Sequence, residues 1–89
     1  MAMYTVKYQS RFKKHLQNLL RAQRFSKKDF KAIEELIVNG TPIPEKYDDH
    51  VIKSHKPRRA LFIKGSWLLI YEYHDDQVTF LDVGRHGEI

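Results

Sequence analysis

The 89 residues are 42% hydrophobic and 30% charged, a balance that reads as one small globular domain and excludes a disordered chain. Without cysteine there are no disulfides and no thiolate chemistry; no apolar run approaches the roughly 20 residues that cross a bilayer, and the start Met-Ala-Met-Tyr-Thr-Val-Lys lacks an apolar leader, so a cytoplasmic protein with no membrane partner is expected. The formal charge of +5 is unevenly spread: residues 1–31 hold nine Lys/Arg against the single acid Asp29, while residues 32–89 hold seven against ten.

Tyr4 to Tyr8 reads as a short strand with Tyr4, Val6 and Tyr8 on one face. Ser10 suits an N-cap, and Phe12, Leu16, Leu19 and Leu20 recur at helical spacing, which predicts a helix over about 10–23. Ser26 with Asp29 resembles a capping box that opens a second helix with Phe30, Ile33, Leu36 and Ile37 on one face. Asn39-Gly40 stops it, and Pro42 and Pro44 prevent resumption. Thr41 to about Pro57 is polar and irregular. Three strands follow, Arg58–Ile63, Ser66–His74 and Gln77 to about Arg85, joined by two-residue turns at Lys64-Gly65 and Asp75-Asp76. The run from Gly65 to His74 is apolar at both parities in its first half, as expected of a strand in the middle of a sheet.

The order β-α-α-β-β-β predicts an α+β domain: an N-terminal strand and an antiparallel helical hairpin packed on a small, mostly antiparallel sheet. With turns at those positions, Phe62 pairs with Trp67, Arg59 with Ile70, and Tyr71 with Phe80. Arg58, Phe62, Trp67 and Tyr71 then share one face with His86 beyond it, while Leu61, Ile63, Leu68, Ile70, Leu81 and Val83 seat the helices. The acid-free stretch His50–Tyr71 carries Lys53, Lys56, Arg58, Arg59 and Lys64, a cationic island suited to polyphosphate or an acidic protein partner. No His/Asp/Glu spacing reads as a metal site, and there is neither a Gly-rich phosphate loop nor a nucleophilic Ser or Cys motif.

Pro42-Ile-Pro44, Tyr47-Asp-Asp-His50, a basic strand, Trp67-Leu-Leu-Ile-Tyr71 and Gly84-Arg-His86 together resemble the YafQ branch of the RelE/ParE toxin superfamily. The resemblance spans nearly the whole chain and implies a type II toxin. Such a toxin is a metal- and cofactor-independent endoribonuclease that cuts mRNA on the ribosome and is restrained by an acidic antitoxin. His50, Trp67, His86 and Arg59 match family positions; Phe62 stands where the family has His, and Ser66 where it has Asp.

Metal-free RNA cleavage needs a base for the 2′-OH, an acid for the leaving 5′-oxygen, and cations for the charged phosphorane. Histidine suits the first two tasks and arginine the third. The expected catalytic set is therefore His50, His86 and Arg59. Lys53, His55, Lys56, Arg58 and Arg85 hold the RNA backbone and the ribosome's rRNA, and Trp67 stacks a base or supports His86. Two alternatives share the fold: a ParE-like, non-enzymatic gyrase poison, and a degenerate toxin that only binds its antitoxin.

Overall fold

Alternating apolar residues in the C-terminal half and helical periodicity in the N-terminal half produce a five-stranded mixed sheet backed by two helices. A computed structural model describes residues 3–89. In chain order the elements are β1 (Thr5–Tyr8), α1 (Ser10–Arg21), α2 (Lys27–Val38), β2 (His50–Val51), β3 (Arg59–Lys64), β4 (Trp67–His74) and β5 (Gln77–Arg85). The sheet order is β1-β5-β4-β3-β2, so the apolar β4 lies at the centre, as its sequence requires. β1 runs parallel to β5, and the other neighbours are antiparallel.

The helix starts differ in quality. At α2 the Ser26 hydroxyl accepts from the Asp29 N–H and the Asp29 carboxylate accepts from the Ser26 N–H, both at 3.0 Å, which is the expected capping box. This pairing holds the exposed Asp29 carboxyl below its ordinary range, through the backbone hydrogen bond first. At α1 the cap is Gln9, whose side chain makes no capping bond, and Ser10 is already helical rather than the N-cap. Both helices bury one stripe against the sheet. Phe12, Phe30, Ile33 and Ile37 meet Leu61, Leu69, Tyr71, Val78, Phe80 and Val83 in one hydrophobic cluster. Phe80 is fully buried at its centre, with ring centroids of Phe12 at 5.4 Å and Phe30 at 6.1 Å. Burial of each such aromatic side chain is worth about 1.5–3 kcal/mol. Among the described residues, no helix is long and apolar enough to cross a membrane.

Two bulges change the faces expected from simple alternation. The β3–β4 loop is Gly65-Ser66, with Gly65 at φ +57°, rather than Lys64-Gly65. Lys64 pairs with Trp67, the register shifts around Ile63, and Phe62 then pairs with Leu68 and Arg59 with Tyr71. The β4–β5 loop is Asp75-Asp76 and Tyr71 does pair with Phe80, but the next pair is Ile70 with Asp82, leaving Leu81 as the extra residue. A bulge sets two residues against one, so the period-two assignment of faces inverts beyond it. Trp67, Leu69 and Tyr71 therefore face the helices. Leu68 and Ile70, expected to seat them, lie on the opposite, open face. Leu81, expected beside them, lines a groove with Ile70. Leu61, Ile63 and Val83 keep their expected place in the core.

Candidate functional site on the open face of the sheet

The segment expected to be irregular contains a two-residue strand, β2, that carries His50. His50 pairs with Ala60, and paired residues project to the same side of a sheet. Phe62, two residues along β3, shares that side, and its ring lies 5.7 Å from the ring of His86. Both histidines thus stand over the open face with Phe62 between them. From standard strand spacings, the His50 and Phe62 backbones are about 8 Å apart. His86 sits just past β5 and its N–H donates to the Ser66 carbonyl at 2.8 Å, which extends the hairpin by one rung and fixes the start of the tail.

His50 is oriented by its own turn. Asp48 is in the left-handed region (φ +51°), and its carbonyl oxygen lies 2.6 Å from His50 Nδ1. A carbonyl only accepts, so Nδ1 carries the proton and Nε2 keeps its lone pair. On the same face, Arg58 is exposed and lines a groove of about 860 Å³ with His15, Ile70, Leu81, Asp82 and Ile89; neither His50 nor His86 lines it. Lys53, His55 and Lys56 form an exposed basic rim on the 3-10 turn Lys53–His55, where Ser54 Oγ lies 2.9 Å from His55 Nδ1.

Three expected site residues are placed elsewhere. Arg59 points to the helix side, where its Nη2 donates to Asp49 Oδ2 at 2.7 Å; the Tyr71 hydroxyl donates to Asp49 Oδ1 at 2.5 Å. The Asp49 hydrogen bond raises the Arg59 pKa further, while burial, followed by Asp49, pushes the Tyr71 hydroxyl far above the usual phenol range. Arg59 is committed to this triad behind the sheet and does not join the histidines. Trp67 also faces the helix side, because of the bulge at Ile63, and does not support His86. Its ring lies 5.9 Å from the guanidinium carbons of both Arg24 and Arg85, so Arg85 too is drawn away from the open face. Each such contact contributes about 0.5–1 kcal/mol at an exposed site.

Sequence reasoning missed two contributors. Asp49 was visible inside Tyr47-Asp48-Asp49-His50, and alternation along an extended segment already sets it on the side opposite His50. Arg24 lies in the connection between the helices, and nothing local to it reveals the distant Trp67. Among the described residues, no cluster of three His, Cys, Asp or Glu side chains is arranged to hold a metal.

The model of a family described as the bacterial toxin of type II toxin-antitoxin system, YafQ, matches residues 4–89. The chain belongs to the YafQ toxin family. The mRNA interferase toxin YafQ of Escherichia coli (strain B / BL21-DE3) is 28% identical over 86 residues, 94% of this chain and 92% of that protein. The toxin in a crystal structure of the E. coli DinJ-YafQ toxin-antitoxin complex superposes with a TM-score of 0.86 at 26% identity, covering 98% of this chain and 97% of that one. A copper-bound L66S mutant toxin from Helicobacter pylori gives a TM-score of 0.92 at 26% identity, covering 98% and 99%. Of the two departures from the YafQ pattern, Phe62 occupies the middle of the open face. Ser66 lies in the β3–β4 loop, where its carbonyl still anchors His86.

Proposed function

We propose that this YafQ-family toxin is an mRNA interferase that cuts mRNA on the translating ribosome without a metal, with His50 as general base and His86 as general acid. The observation that carries the reading is the Nδ1 contact of His50 with the Asp48 carbonyl, which leaves Nε2 as a proton acceptor on the face shared with His86. His50 Nε2 takes the 2′-OH proton and the 2′-oxygen attacks phosphorus. The bond from phosphorus to the 5′-oxygen breaks, and His86 protonates that oxygen. The products are a 2′,3′-cyclic phosphate, or the 3′-phosphate from its hydrolysis, and a 5′-OH. Arg58 takes the phosphorane role first expected of Arg59, since it is exposed on the open face over which His50 and His86 stand. Lys53, His55 and Lys56 carry the RNA backbone at the rim. Arg85, with Arg24 over Trp67, holds RNA or rRNA beyond the groove.

The partner is an acidic antitoxin that masks the basic surface until released. Support comes from the net charge of +5, the concentration of nine cations in residues 1–31, and the relatives in which YafQ is bound to DinJ. One observation favours a second reading. Phe62 fills the centre of the site with an apolar ring, which suits a weakened or inactive toxin that retains antitoxin binding.

Primer extension on mRNA from cells induced to make the toxin tests both readings. Cuts within coding sequence that fall at least a hundredfold in His50→Ala and His86→Ala proteins are expected. An uncut message from a folded, antitoxin-binding wild type selects the second reading.

A further inference from the structure

The Asp49–Arg59–Tyr71 triad has no direct place in the cleavage reaction, yet it lies directly behind the residue proposed as base. Asp49 and His50 are adjacent in an extended stretch, so one points into the molecule and the other out of it. On the inner side both carboxylate oxygens of Asp49 are used: Oδ1 by the hydroxyl of fully buried Tyr71, Oδ2 by Arg59. These two donors belong to β4 and β3, which are hydrogen-bonded to neighbouring strands on both sides. On the outer side, β2 offers little support of its own, since it is only two residues long and follows an irregular stretch. Asp48, in the left-handed conformation, closes the turn by accepting on its carbonyl the hydrogen bond that His50 Nδ1–H donates.

We propose that Asp49 is a positioning residue for catalysis: its carboxylate, pinned by Arg59 and Tyr71, locks the 48–50 turn so that His50 keeps its Nδ1–H tautomer and presents Nε2 over the open face. The inference rests on the nuclease reading for its consequence but not for its geometry. An isolated imidazole favours the proton on Nε2, which is the wrong tautomer for a base acting through that atom. The turn reverses this preference, and the carboxylate clamp holds the turn. Arg59, the expected phosphate ligand, thereby acts on the reaction through Asp49 and never touches RNA.

The test uses the full chain, freed from its antitoxin, as wild type, Asp49→Asn, Tyr71→Phe, His50→Ala and the Asp49→Asn/His50→Ala double variant. Asparagine keeps an oxygen for Tyr71 but turns an amide toward Arg59; Tyr71→Phe removes the other anchor while keeping the ring that fills the core. Long-range nitrogen–proton spectra of the imidazoles are expected to show the Nδ1–H tautomer at His50 in the wild type and a shift toward Nε2–H in both anchor variants. kcat for mRNA cleavage is expected to fall tenfold to about a hundredfold with KM unchanged. Asp49→Asn is expected to cost nothing further once His50 is Ala. An unchanged His50 tautomer in either folded anchor variant overturns the proposal, as does an undiminished kcat in Asp49→Asn or an equal added loss in the His50→Ala background. If His50→Ala itself cuts at the full rate, the assignment of His50 as base falls, and the tautomer spectra still decide the positioning claim.

Discussion

Tyr71 and Ile70 are neighbours in β4, yet Tyr71 is fully buried beneath the helices and Ile70 is partly exposed over the groove. The same contrast separates Arg59 from Arg58 and Asp49 from His50. On the helix side, polar groups are paired: Asp49 with Arg59 and Tyr71, Tyr8 with Glu34, and the Tyr73 hydroxyl with the Ile37 carbonyl. On the open side, Asp82 pairs with His15 at 2.7 Å, while Arg58, His50 and His86 are exposed and form no ion pairs among the described residues. Burial makes an unpaired polar group costly, so one face of the sheet is closed chemically as well as sterically. The other face is free to present cations and imidazoles. Buried polar pairs and exposed imidazoles thus occupy opposite sides of the same strands, one residue out of phase.

That division is broken most severely from the closed side. Phe80→Ala removes the ring at the centre of the core and is expected to cost about 3–5 kcal/mol, a large share of the 5–15 kcal/mol typical of a whole domain. Urea unfolding should show the midpoint collapse, with activity lost only because the fold is lost. The opposite pattern is expected on the open side. His50→Ala or His86→Ala should leave the urea midpoint within about 0.5 kcal/mol of wild type, while lowering cleavage by about 10²–10⁴-fold. Phe62→His sharpens the comparison further, because it places a third imidazole between the other two. Cleavage should rise about tenfold, with little change in the thermal midpoint.

Alkaline pH separates the faces by titration. Burial first, then the hydrogen bond that its hydroxyl donates to the Glu34 carboxylate, pushes Tyr8 up to about 12, and burial pushes Tyr73 up to about 12. An unfolded phenol ionises near 10, so the stability linked to these groups is complete below pH 10 and is lost as the pH rises through about 12. Phenolate absorbance from Tyr8 and Tyr73 should therefore appear together with unfolding rather than before it. The smallest expected effect lies at the edge of the closed face. Ser26→Ala removes one half of the capping box and should cost about 1 kcal/mol, read as a shift in the thermal midpoint with cleavage unchanged.

Much of the fold was legible in the chain. The capping box at Ser26, the stop at Asn39-Gly40 and the central position of β4 all follow from residues within a few positions of one another. The turn at Asp75-Asp76 was recognisable, and Tyr71 opposite Phe80 follows from it, while the first turn was placed one residue early, at Lys64-Gly65 and not Gly65-Ser66. His50 and His86 were visible through the pattern that includes Tyr47-Asp-Asp-His50 and Gly84-Arg-His86. What was not legible is which side of the sheet each residue takes beyond a bulge. Trp67, Tyr71, Leu68 and Ile70 were assigned to the wrong faces for that reason, and Trp67 was thereby joined to His86. Arg59 was expected beside the histidines, and its place on the helix side was hidden because its partner, Asp49, is ten positions away and lies across a strand pair.

By itself the sequence determined the elements other than the two-residue β2, their order and the residue types available for proton transfer and phosphate binding, since these depend on local propensity, periodicity and side-chain chemistry. Only the tertiary structure decided the faces and the partners. The extra residues at Ile63 and Leu81 are accommodated where helix packing and strand pairing together favour them, and that choice turns neighbouring side chains toward the core or toward solvent.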